Sequence, residues 1–459
     1  MPTRDDPVAR SASEAFGGPL GRYAVPLARG WRRLGAGLVA ASTVPMAVGV
    51  AERGYCVEGG WRAPDEFFHM CFSDLPTTFA NAGLGAGLGA FLSGAPGGPT
   101  PAHPPLTALV LAFTGGLVPD GSPDARGRFF FGLWALLVAL CVGLTVWWTA
   151  GSTPRTPLRA AHVALSPVVA LVAVVSPDAL GVALASAALY AWSRSRPVWA
   201  GVLFGLAISA RSYPVLFLLA VVLVAVRAGR VRAVASTVGA ALLVAAGVFG
   251  LVAARNPAGA LRAYAAWWDS SAGFGSAWVA GQLQPQQMGS VSFPQLPVLS
   301  PGVLDVIAIG GWILAVLLGA WLALASARRP GIAEVSLVML AVVLCTGKSF
   351  PVQSSLWLVP LVALVGLRWR DHLLWAGAEM LHFGAVWLYL AGTTVADRGL
   401  PAGWYLLTVA VRLAAVVWLA VLTWWRASER PPAFLDPEET DQLAGPLAGA
   451  PDALLVRLA

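Results

Sequence analysis

The chain has 459 residues, of which 57% are hydrophobic and only 12% charged. Its mean hydropathy is +0.71. A soluble domain carries about twice that share of charge, so the soluble class is excluded, and repeated apolar runs of ~20 residues indicate an all-α polytopic membrane protein. The formal net charge of +7 is not a nucleic-acid signal, because the arginines cluster in short loops between apolar runs, as in cytoplasmic anchoring.

Residues 1–31 are polar and read as a disordered cytoplasmic tail, too long before the first apolar run for a cleavable signal peptide. Gly35 to Val50 forms the first span. Arg29, Arg32 and Arg33 precede it, which places the N-terminus inside.

The first outer loop, 51–128, holds the densest polar stretch, PDEFFHMCFSD, with Asp65, Glu66, His69, Cys71 and Asp74. Cys56 shares this loop, and a disulfide to Cys71 is compatible with an outward-facing position, although spacing alone does not fix their geometry. After a Gly-rich stretch comes Pro105 to Leu117, too short to span and expected at the interface or re-entering.

Further spans are expected at 129–149, 159–175, 177–193, 197–210, 213–227, 232–254, 302–325, 332–346, 353–368, 373–392 and 403–425, about twelve with the first. Arginines then mark the inner connections. Outer connections hold Asp178, Arg211, residues 255–301, Lys348 and Arg398. The segment 427–459 is expected as a cytoplasmic tail, polar, acidic and disordered after Pro431.

Ionisable groups at the outer span ends are the candidates for chemistry. Cations at Arg211 and Lys348 suit a phosphate, and a carboxylate suits a hydroxyl proton. Each has a plainer reading: Asp65, Glu66 and Asp178 as helix caps, His69 as an interface residue, Arg211 as a snorkelling side chain. Lys348 is the only lysine in the chain, and Glu379, inside a span, needs a partner. No Walker loop, dinucleotide fingerprint, HExxH or nucleophile elbow occurs. No metal-ligand spacing is evident, so no cofactor is expected; the alternative, a divalent metal held at the outer face by Asp74 and Asp178, has no support in the sequence. No repeat symmetry of the transporter kind stands out.

Several segments together resemble a known family: CFSDLP at 71–76, HPPLTALVLAF at 103–113, SPDALGVAL at 176–184 and AGVLFGLAISARSYPVL at 200–216. FGSAW at 274–278, GKSFPVQSSLWLVPL at 347–361 and GWYLL at 403–407 complete the set. In order and spacing the chain, over 32–426, resembles GT-C membrane glycosyltransferases, most closely actinobacterial members of glycosyltransferase family 87.

The resemblance implies a cell-membrane, cell-envelope enzyme that moves a sugar, often mannose, from a polyprenyl-phosphate donor to a lipid or glycan acceptor outside the cytoplasm, with inversion. It implies that Asp74 is the base, and that Arg211, where relatives usually show lysine, and Lys348 bind the donor phosphate. Asp178, Asp65, Glu66, His103 and Gln353 would support them. The alternative is a non-catalytic transporter or flippase using the same cationic cavity.

Overall fold

The computed structural model describes residues 30–283, 288–291, 293–294, 296–395, 398–428 and 441–455. It is all-helical, with no strand among the described residues. Most of the expected N-terminal tail, and the stretch 429–440 of the C-terminal one, lie outside the described residues.

Local sequence chemistry sets the helix starts. Proline opens Pro105–Gly115, Pro123–Ser152, Pro197–Ala210, Pro214–Arg227 and Pro301–Ala325, where a missing N–H costs nothing. Serines before two of them accept from the first turn, Ser122 from the amide of Ala125 and Ser300 from that of Val303. Helix Pro123–Ser152 thus begins six residues before its apolar stretch, carrying Asp124, Arg126 and Arg128 on its first turns.

All twelve expected segments fall on helical structure, but only six described helices are long and apolar enough to cross a membrane. These are Trp31–Glu52, Pro123–Ser152, Val231–Ala253, Pro301–Ala325, Trp369–Thr394 and Ala402–Ser428. Two other segments are broken. The stretch 159–175 is interrupted before Pro167, and 353–368 runs as a 3-10 helix, Val352–Trp357, into Val359–Val365. Both are largely buried against neighbours, the setting in which irregular backbone is tolerated in a membrane protein.

Helix contacts follow the membrane rule of small residues at close approaches. Gly201 and Gly205, four apart on Pro197–Ala210, press against helix Val231–Ala253. A Cβ at Gly205 would stand 2.6 Å from the carbonyl of Ala241. Helix Val231–Ala253 turns Leu242, Leu243 and Leu251 outward, as a lipid-facing helix does.

The segment 51–128, expected as the first outer loop, is a chain of short helices rather than coil: Gly54–Gly59, Asp65–Phe68, Asp74–Asn81, Gly87–Ser93 and Pro105–Gly115. Cys56 and Cys71 are bridged across it by a disulfide. The acidic C-terminal segment departs from expectation. Residues 441–455 pack against the bundle, burying Leu443, Leu447 and Ala450. Asp452 pairs with the fully buried Arg227 at 2.7 Å, and Gln442 donates to Thr156 at 3.0 Å. Three apolar anchors and a countercharge for a buried guanidinium hold what composition alone reads as a free tail.

Candidate active site

Five segments meet at one polar cluster, each placed by a contact distant in sequence. The loop before helix Asp74–Asn81 is tied to the loop before helix Asp178–Ser193. Ser73 donates to the carbonyl of Val174 at 2.8 Å, and the amide of Asp74 donates to that of Val175 at 2.8 Å. The segment before helix Asp74–Asn81 and the 173–177 turn therefore bring two carboxylates together.

Helix Pro105–Gly115 is tethered in the same way. Thr107 donates to the carbonyl of Ala210 at 2.8 Å, which sets His103, just before that helix, beside Arg211, just after Ala210. The 3-10 turn Val352–Trp357 closes the remaining side. Gln353 donates to Asp74 at 3.3 Å and the indole of Trp357 donates to Asp178 at 2.7 Å.

Asp178 is the hub. Its carboxylate is 2% exposed as a residue and accepts from Ser176 at 2.9 Å, from Trp357, and from the guanidinium of Arg211 in a close ion pair. A buried carboxylate with three donors is well compensated. Gly181 makes room for its partner, because a Cβ there would stand 2.9 Å from Cγ of Arg211.

Arg211 is shared. Beyond Asp178, Nη1 lies 3.1 Å from Nδ1 of His103. Burial, with the positive charge of Arg211 second, holds the His103 pKa down at about 3. The ring is therefore neutral and accepts through Nδ1, with its proton on Nε2. These contacts with Asp178 and His103 engage one N–H on each of Nη1 and Nη2, and the side chain is 15% exposed, so the guanidinium keeps terminal donors for a ligand.

Asp74 differs from Asp178 in having, among the described residues, one side-chain donor, Gln353. Burial pushes its carboxyl pKa up to about 7; the negative charge of Asp178 adds to the rise and Arg211 opposes it. One of two adjacent acids is thus saturated with donors and the other is held near neutrality, a separation typical of sites that use one of them for proton transfer.

The other expected residues lie elsewhere. Lys348 is not in the cluster. Its ammonium is 2% exposed, donates to the carbonyls of Trp267, Trp268 and Ser270 at 2.8, 3.2 and 3.3 Å, and ion-pairs with Asp305 at 2.6 Å. Three carbonyls occupy the three N–H donors of an ammonium. Two of them end helix Pro257–Trp268, where a cation also complements the helix dipole. The structure thus engages the ammonium of Lys348 with protein groups, away from the pair of Asp178 and Arg211. Asp65 and Glu66 begin the short helix Asp65–Phe68; Asp65 is exposed, Glu66 is buried, and neither reaches the cluster. His69 stacks on Tyr55 with ring centroids 3.5 Å apart.

Glu379 does have a partner. Arg412, fully buried, donates to it at 2.7 Å and to Ser355 at 2.8 Å, and reaches the carbonyls of Phe350 and Pro351. This pair braces, from behind, the loop that carries Gln353 and Trp357. Sequence reasoning missed Trp357, Ser176 and Arg412. Ser176 was legible as the first residue of the SPD turn; the other two depend on contacts more than 30 residues apart.

Among the described residues no group of three or more His, Cys, Asp or Glu side chains could hold a metal ion. No curated protein sequence matches the chain. The model of glycosyltransferase family 87 matches residues 100–347, which include His103, Asp178 and Arg211; Asp74 and Gln353 fall outside the matched stretch. That match covers more than half of the 459 residues, and the chain belongs to glycosyltransferase family 87, a glycosyltransferase built of membrane-length helices.

Proposed function

We propose that the enzyme transfers a sugar, mannose on the family resemblance, from a polyprenyl-phosphate donor to a hydroxyl of a lipid or glycan acceptor. The reaction runs at the extracytoplasmic face of the cell membrane and inverts the anomeric carbon, in a GT-C-like bundle of about twelve crossings with both termini cytoplasmic. The observation that carries this reading is the pairing of a near-neutral carboxyl, Asp74, with a guanidinium, Arg211, that retains unused donors.

In this mechanism the acceptor oxygen attacks C1 of the sugar while its proton passes to Asp74. The bond from C1 to the phosphate oxygen breaks, and its electron pair leaves with the polyprenyl phosphate. Arg211 balances the charge that develops there, the larger contribution in a site of low dielectric constant. Asp178 positions Arg211 and Gln353 orients Asp74. A base with a pKa near the working pH is suited to the step. The Cys56–Cys71 disulfide supports an oxidising, outer location for the first loop, and family membership disfavours a transporter.

The test is transfer from short-chain polyprenyl-phosphate sugars by membranes carrying the enzyme, with the anomeric configuration of the product read by NMR. Mannose transfer with inversion supports the proposal. Retention of configuration, or sole use of a sugar nucleotide, would overturn it.

A further inference from the structure

A cleft of about 680 Å³ opens between helix Asp74–Asn81, the start of helix Pro123–Ser152, and the turns at Gly60–Trp61 and Gly83–Ala86. Its volume is that of sites that hold organic ligands, ~300–1,000 Å³. None of the residues assigned a catalytic or supporting role above lines it. It shares an element with the base all the same. Thr77 and Asn81, both in its wall, follow Asp74 by three and seven residues on one helix, so all three lie on one face within two turns.

The wall has a distinctive chemistry. It carries Asp120 and Asp124 beside Asn81 and Thr77, with the indole of Trp61 and the guanidinium of Arg126. Asp124 is paired with the rim residue Arg62 at 2.6 Å. Arg126 lies over the ring of Phe79 at 5.4 Å, in space that exists because Gly85 has no side chain; a Cβ there would collide with its Nη2. The two carboxylates are thus matched by two guanidinium groups, which offers little to a net anion or cation.

We infer that this cleft is the acceptor subsite, and that it receives a neutral, polyhydroxylated headgroup. Carboxylates and an amide accept from sugar hydroxyls, the guanidinium of Arg126 donates to their oxygens, and the indole face of Trp61 covers the apolar face of a ring. An occupant of the cleft lies one to two helical turns from Asp74, so a further hydroxyl of the same molecule reaches the base. The assignment of the occupant as acceptor rests on the proposed function; the binding of a neutral glycan does not.

The experiment uses the full chain in phosphatidylcholine nanodiscs. Saturation-transfer NMR measures binding of mannotriose, with glycerol phosphate as the anionic comparison. Mannotriose should bind the wild type, and Asp120→Asn, Trp61→Ala and Gly85→Ala should each weaken it about fivefold or more, the worth of one lost polar contact. Thr77→Val serves the same purpose should another variant lose its folded yield. Equal binding by all variants, or saturation of glycerol phosphate alone, would overturn the inference. Sugar transfer by Asp74→Asn is measured in parallel. Full transfer by that variant removes the base assignment, whereas weakened mannotriose binding in the cleft variants supports the cleft whatever the result at Asp74.

Discussion

Replacing Lys348 with methionine separates a structural from a catalytic role for the chain's only lysine. The substitution keeps the length of the stem but removes the ammonium that three carbonyls and Asp305 share. Asp305 is left with its carboxylate 17% exposed, and the last carbonyls of helix Pro257–Trp268 lose their cap. Breaking a largely buried pair by removing one partner costs ~3–5 kcal/mol, and the exposed fraction of Asp305 places the loss toward the lower end. The thermal unfolding midpoint in nanodiscs should therefore fall by several degrees. Donor KM, measured on the folded fraction below that midpoint, should stay within about twofold of wild type, because uniform binding is untouched. Adding Asp305→Asn should recover part of the loss, since it removes the orphaned charge. A tenfold rise in donor KM with an unchanged midpoint would refute this reasoning and return Lys348 to the phosphate site.

Arg211→Lys keeps the charge but loses the planar fork that spans Asp178 and His103; donor KM should rise roughly tenfold, checked by initial rates at fixed acceptor. Arg211→Ala is the poorer probe, because it strands the buried Asp178. Replacing both Cys56 and Cys71 with serine opens a loop whose ends are 15 residues apart. It should cost ~3 kcal/mol, read as a lower unfolding midpoint that added reductant no longer shifts.

The helices were largely legible because apolar runs, proline starts and serine caps are local signals, as Ser300–Pro301 shows. The Asp178–Arg211 pairing was half legible: both residues end apolar segments on the side assigned outward, but which acid takes the guanidinium depends on the Ser73 and Thr107 tethers. The surroundings of Lys348 were not legible, because its uniqueness is a fact about composition whereas its contacts are with the carbonyls of a helix some 80 residues earlier. The docked segment 441–455 escaped notice for a related reason. Its few apolar residues are too sparse to stand out, and its aspartate matters only because Arg227 is buried opposite.

The most direct test of the central claim, that Asp74 takes the acceptor's proton, is the pH dependence of transfer by the wild type beside Asp74→Asn. A base must be ionised to act, and the Asp74 carboxyl pKa is pushed up to about 7, so the rate should climb with pH and level off above about 8. At pH 5 about 1% of the carboxyl is ionised, which makes the rate roughly 50-fold lower than at pH 7. Asp74→Asn can still accept from Gln353, and it should be ~10²–10⁴-fold slower at pH 8, with no rise through neutrality. Its stability should not fall at that pH, because the raised pKa means that the fold disfavours the ionised acid as pH climbs from near 4 through about 7. A variant that transfers sugar at the wild-type rate, or one that keeps the same pH profile, would contradict the account.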